Sequence, residues 1–118
     1  MDGTGGNEAY REAGVATYAS THTQALSLER GARMRQSAAE GLPAAVAEHV
    51  RATPVVSAEH TFAESTGLTL SFGGERVEVT YPGPAHSQDN VVVYLPTRQI
   101  LFGGCMLKIG DSLGYLGD

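Results

Sequence analysis

Apolar and polar residues alternate cleanly in only one half of this chain, and the contrast divides it. From residue 60 onward, His60-Thr61-Phe62-Ala63, Leu68-Thr69-Leu70-Ser71-Phe72 and Arg76-Val77-Glu78-Val79-Thr80-Tyr81 show the period of two expected of half-buried strands. Gly73-Gly74, between the last two, is a hairpin turn signal. Val91-Val92-Val93-Tyr94-Leu95 is a continuous apolar run, which predicts a strand covered on both faces. Pro96-Thr97-Arg98 turns it into a further strand, Gln99-Ile100-Leu101-Phe102. The tail from Gly110 to Asp118 shows neither periodicity.

Before Pro54 the pattern is helical. Asn7 is a candidate N-cap for a short helix over Glu8 to Ala13, with Gly14 as its stop. Val15-Ala16-Thr17-Tyr18 predicts a buried, parallel-type strand. Ser20 or Thr21 can cap a second helix from about His22 to Arg30. Ala32 to Glu40 and Ala44 to Arg51 have helical propensity and are separated by Gly41-Leu42-Pro43. Their apolar members are mainly alanine and valine, so they would bury little area. Residues 31–59 therefore read as a helical insertion at the periphery of an α/β architecture.

Composition narrows the class. A chain of 118 residues with 42% hydrophobic and 18% charged content is a globular chain of one domain or part of one. The net charge of −5 is mild, and no Lys/Arg cluster exceeds Arg30 to Arg35. Nucleic acid and acidic membranes are therefore not expected partners. No apolar run reaches about 18 residues, so no transmembrane helix is predicted. The N-terminus lacks a basic region followed by an apolar stretch, so no signal peptide is expected in this stretch. A single cysteine excludes an intrachain disulfide.

Candidate chemistry lies in three glycine-rich turns: Asp2-Gly3-Thr4-Gly5-Gly6, Gly83-Pro84-Ala85-His86-Ser87-Gln88-Asp89-Asn90, and Gly103-Gly104-Cys105-Met106-Leu107-Lys108. Imidazole and thiolate are favoured zinc ligands, and turns at strand ends can aim them. Taken alone, each residue has a plainer reading. His86 is a loop histidine, Cys105 a small buried hydrophobe, Asp2 a turn residue and Lys108 a solvated charge. Asp89 and Asn90 read as residues that hold the His86 loop. His22, His49 and His60 read as surface residues.

In combination the three turns resemble the class B metallo-β-lactamases, and among them the first subclass, the dinuclear zinc enzymes. That family shows His-x-His-x-Asp-x-x-Gly-Gly, then Gly-x-x-His-x-x-Asp-Asn, then Gly-Gly-Cys-x-x-Lys, and a late Gly-x-His. The resemblance covers nearly the whole chain except residues 31–59. It implies the central part, residues 1–118, of a single αβ/βα sandwich domain truncated at both ends. It also implies two zinc ions in a complete enzyme. His86 would serve the first metal, and Asp2 and Cys105 the second, three of six protein ligands. A metal-bound hydroxide would hydrolyse the β-lactam amide, with Asp2 positioning it and Lys108 pairing with the substrate carboxylate.

The resemblance further implies a monomeric, periplasmic enzyme of antibiotic resistance acting on small-molecule β-lactams, without nucleic-acid or membrane partners. Gly3 and Cys105 set the chain apart from related hydrolases acting on thioesters, which carry His and Asp at those positions. Tyr115 departs from the family, which usually has Asn there to help polarise the lactam carbonyl. The isolated chain is expected to be inactive. A different class, a non-catalytic zinc-binding or structural domain, is the competing expectation.

Overall fold

Two patterns of hydrophobicity become two structural units, residues 1–61 and 62–118. The structure, a computed structural model, describes residues 6–107 and residue 110.

The first unit opens with α1, Asn7–Glu12. Its N-cap position is Gly6, and Asn7 does not cap the helix. The Asn7 side chain is buried and donates its Nδ2 hydrogen to the Val56 carbonyl at 3.2 Å. The side chain that could have capped the helix through its Oδ1 serves instead as a long-range tether through its Nδ2. The helix does stop at Gly14: the Gly14 and Val15 amides donate to the Arg11 and Tyr10 carbonyls at 3.0 and 2.9 Å.

The strand expected at Val15 is displaced. Residues 15 and 16 are exposed, and β1 is Tyr18–Ser20, paired with β2, His60–Phe62. Thr17 begins the association by accepting from two amides, His60 on its carbonyl and Glu59 on its Oγ1, each at 3.0 Å.

Ser20 is the cap of α2, Thr21–Ala38, and its hydroxyl accepts from the Thr23 amide at 3.0 Å. The helix does not end at Arg30 but absorbs the next predicted segment. Gly31 is buried within it, and a Cβ there would lie 2.6 Å from Val55 Cγ1. The glycine admits a close neighbour and costs the helix only about 1 kcal/mol.

The Arg35 guanidinium donates to the Thr53 and Pro54 carbonyls, tying α2 to the end of α3, Ala44–Ala52. The buried apolar residues described in this unit are Ala19, Ala39, Ala47 and Ala58, small as the composition predicts.

In the second unit four strands form an antiparallel meander in chain order: β3 (Leu68–Phe72), β4 (Glu75–Thr80), β5 (Val92–Leu95) and β6 (Ile100–Phe102). Leu68 pairs with Val79, Leu70 with Val77, Val79 with Val93, and Val93 with Phe102. Residues paired in register share a face. One face therefore gathers Leu68, Leu70, Phe72, Val77, Val79, Val93, Leu95, Ile100 and Phe102, and the other mixes Thr69, Ser71, Arg76, Glu78 and Thr80 with Val92, Tyr94 and Leu101.

β5 departs from its expectation. It is antiparallel to both neighbours, and Tyr94 is exposed on the more polar face. The valine run reflected strand propensity on a half-covered sheet, not burial on both sides.

Glu75 is the one acid on the apolar face, and Arg98 meets it at 3.0 Å from the 3-10 turn Pro96–Arg98. That turn and Gln99, in the left-handed region at φ 55°, reverse the chain from β5 into β6. Two segments bearing candidate ligands thus hang from this sheet: the loop between β4 and β5, and the turn after β6.

Candidate metal site

The loop of residues 81–91 leaves β4 through Tyr81-Pro82-Gly83, with Gly83 at φ +112°, a conformation that other residues rarely adopt. Three sets of hydrogen bonds then fold it. The Tyr81 hydroxyl donates to the Gln88 carbonyl at 3.0 Å, and the Ala85 amide donates to the Ser87 carbonyl at 3.0 Å. Asn90 supplies the rest. Its Oδ1 accepts from the Ser87 amide at 2.7 Å and from the Ser87 hydroxyl at 3.0 Å. Its Nδ2 donates to the Ser87 carbonyl and, at a longer 3.5 Å, to the Gly83 carbonyl. The Ser87 hydroxyl also lies 2.9 Å from Asp89 Oδ1. His86 sits half-buried inside this folded loop, adjacent to the residue that Asn90 grips.

Cys105 follows β6 on a short 3-10 turn, Gly104–Met106. It is a free, exposed thiol, so the reading of it as a buried hydrophobe fails. Packing within the turn explains why. Gly103 is buried, and a Cβ there would meet Leu107 Cγ at 2.3 Å. Leu107 folds over the glycine, and the Met106 amide donates to the Gly103 carbonyl at 3.1 Å. The cysteine is left on the outside of the bend.

Asp2 and Lys108 lie outside the described residues, as does Tyr115. Among the described residues no three His, Cys, Asp or Glu side chains gather as a metal-binding group. His86 and Cys105 nevertheless each have the donor chemistry of a zinc ligand: one is an imidazole on a hydrogen-bonded loop and the other an accessible thiol. The other histidines have different settings. His22 lies in α2 and His49 in α3, while His60 begins β2 and stacks on Tyr18 with ring centroids 4.9 Å apart.

The alternation pattern gave no hint of the Tyr81 hydroxyl's grip on Gln88. The available signal was a tyrosine at the end of an amphipathic strand, directly before a Pro-Gly-Pro turn.

Comparison with known proteins adds a second line. The family described as "Metallo-beta-lactamase superfamily" matches residues 2–114. The "Metallo-beta-lactamase type 2" of Pseudomonas aeruginosa is 36% identical over 117 residues, 99% of this chain and 37% of that protein. That match takes in residues 31–59. The protein of the same name from Bacteroides fragilis is 48% identical over 62 residues, 51% of this chain and 24% of that protein.

Among solved structures, the metallo-beta-lactamase from Pontibacter korlensis superposes with a TM-score of 0.67 at 34% identity, over 92% of this chain and 39% of that one. The DIM-1 metallo-beta-lactamase, in a crystal exposed to ceftazidime, superposes with a TM-score of 0.62 at 31% identity, over 94% of this chain and 39% of that one. The chain thus spans less than two fifths of the length of these relatives.

Proposed function

The chain belongs to the metallo-β-lactamase superfamily, and from that premise we propose that it carries part of the zinc-binding and substrate-binding apparatus of an enzyme that hydrolyses the β-lactam ring. The observation that carries this reading is the exposed, free thiol of Cys105 on a tight turn at a strand end. A merely structural cysteine is usually buried, whereas a ligand must be reachable as thiolate.

In this reading His86 is a ligand of one zinc ion, and Asp2 and Cys105 are ligands of a second. Zinc, when bound, lowers the pKa of a coordinated water to about 7 and polarises a carbonyl oxygen. The residues of the chain do the rest. Asp2 accepts a hydrogen bond from the attacking water and so holds its orientation. Lys108 presents a compact positive charge to the carboxylate that β-lactam antibiotics carry. The folded loop around His86 fixes where its imidazole can point. No side chain serves as a nucleophile, so no covalent acyl-enzyme forms.

Cys105 and Gly3 favour the first β-lactamase subclass over thioester hydrolases. The enzyme is proposed to act as a periplasmic monomer on small molecules and to confer antibiotic resistance. No helix among the described residues is long and apolar enough to cross a membrane.

Exchanging the matching span of the Pseudomonas relative for this chain tests the proposal. The chimera is expected to hydrolyse nitrocefin in a zinc-dependent manner. His86→Ala and Cys105→Ser should each lower kcat/KM by at least about 100-fold, more than the loss of an outer partner of a ligand. A folded, zinc-loaded chimera that leaves nitrocefin intact would sink the β-lactam reading. The 118-residue chain alone, with added zinc, should show no robust turnover.

A further inference from the structure

Granting the zinc-ligand role proposed for His86, we infer that Asn90 is its positioning residue: the carboxamide of Asn90 locks the Gly83–Asn90 loop and thereby fixes the imidazole. One side chain closes both ends of the segment that contains His86. Its oxygen receives the amide and hydroxyl of Ser87, at 2.7 and 3.0 Å, immediately after the histidine. Its nitrogen donates to the Ser87 carbonyl and reaches the Gly83 carbonyl at 3.5 Å, three residues before the histidine.

An amide is the group suited to this task, because it combines an acceptor and two donors in one plane. A carboxylate of the same shape would accept from the Ser87 amide yet face the Ser87 and Gly83 carbonyls with oxygen. An alanine would leave the Ser87 amide and the Gly83 carbonyl without these partners and the Ser87 carbonyl with the Ala85 amide alone. Tyr81 adds a separate pin at Gln88, beyond the histidine, and does not touch the segment from Gly83 to His86 through that bond. The Asn90 side chain reaches backbone on both sides of His86.

A ligand held in place before the metal arrives binds it more tightly than one that must be ordered on binding. Loss of such an outer partner typically costs 10- to 100-fold in metal affinity. The effect should pass entirely through His86, which separates positioning from a general contribution to folding.

Two measurements on the chimera described above test this. The first uses metal-free protein. Amide hydrogen exchange at Ser87 should be slowed in the native sequence and accelerated at least about tenfold by Asn90→Ala, with the β3–β4 ladder unchanged. Asn90→Asp, which keeps the acceptor and loses the donors, should also free the loop.

The second measures Zn2+ affinity by chelator competition in the chimera with the Pseudomonas relative, where the remaining ligands are present, and in its Asn90→Ala, His86→Ala and double variants. Asn90→Ala is expected to weaken Zn2+ binding about tenfold when His86 is present and to add nothing once His86 is alanine. An equal loss in both backgrounds, or unchanged Ser87 exchange in Asn90→Ala, would overturn the positioning role. Unchanged Zn2+ affinity in His86→Ala overturns the ligand reading itself and the inference with it. Weakening by His86→Ala but not by Asn90→Ala overturns the inference alone.

Discussion

At the residue scale, the second unit depends on a few positions where backbone meets backbone closely. Gly67 precedes β3 with φ +65°, and a Cβ added there would lie 2.4 Å from the Val79 carbonyl oxygen. The obstacle is main chain, so no rotamer change can relieve it. Val79 also pairs with Leu68 and Val93, one step before the strand releases into the His86 loop. Gly67→Ala should therefore destabilise the β3–β4 ladder by more than about 1 kcal/mol, through the positive φ and the clash together. Amide exchange along β3 and β4 measures this, and protection should fall about tenfold or more. An unchanged ladder would mean that the strand end can move aside without cost. The same scale explains why Cys105 is exposed although a lone cysteine is usually buried. Its exposure is set by Leu107 covering Gly103, a contact between residues four apart that no composition rule anticipates.

At the element scale, α2 depends on one cap for its entry. Ser20 is 1% exposed and accepts the Thr23 amide, and its hydroxyl also meets the Thr23 hydroxyl at 3.1 Å. Ser20→Ala should cost about 1 kcal/mol and fray the first turn, whereas Ser20→Gly should recover all but a few tenths. Exchange at the Thr23 amide reads the local effect, and equal damage by both substitutions would point to lost packing instead of a lost cap. Elements with strict periodicity were the ones legible in the sequence. β3 has the predicted bounds because five residues alternate without interruption between a glycine and a glycine turn. Helix ends were less legible, because Gly31 works as a contact with Val55 and Asn7 as a tether to Val56. Neither partner is near in sequence. For the candidate site, the turns bearing His86 and Cys105 were legible as glycine-rich breaks between strands, while the bonds from Tyr81 to Gln88 and from Asn90 to Gly83 each join residues seven apart that no periodicity relates.

At the scale of the whole molecule, the sheet of the second unit has one almost wholly apolar side, and that side is incompletely covered. Phe72, Ile100 and Phe102 share that side and are 59%, 51% and 66% exposed. Sheets bury one face against another layer, so apolar exposure of this kind favours association. β6 adds a second hazard, since it is an edge strand of three apolar residues without lysine or proline. The 118-residue chain is therefore expected to bind a hydrophobic dye and to self-associate on concentration. Substitution can decide between stacking of faces and pairing of edges. Phe102→Lys places a charge on the apolar side, and Leu101→Lys places one on the opposite side of the same strand, where Leu101 is 52% exposed. If faces stack, light scattering should show that Phe102→Lys abolishes association while Leu101→Lys leaves most of it. Equal suppression by the two would show that the β6 edge drives association, because a lysine on either side of an edge strand discourages a neighbour from adding to it. A chain that stays monomeric and dye-free without either change would mean that the exposed side is closed in solution by its own residues.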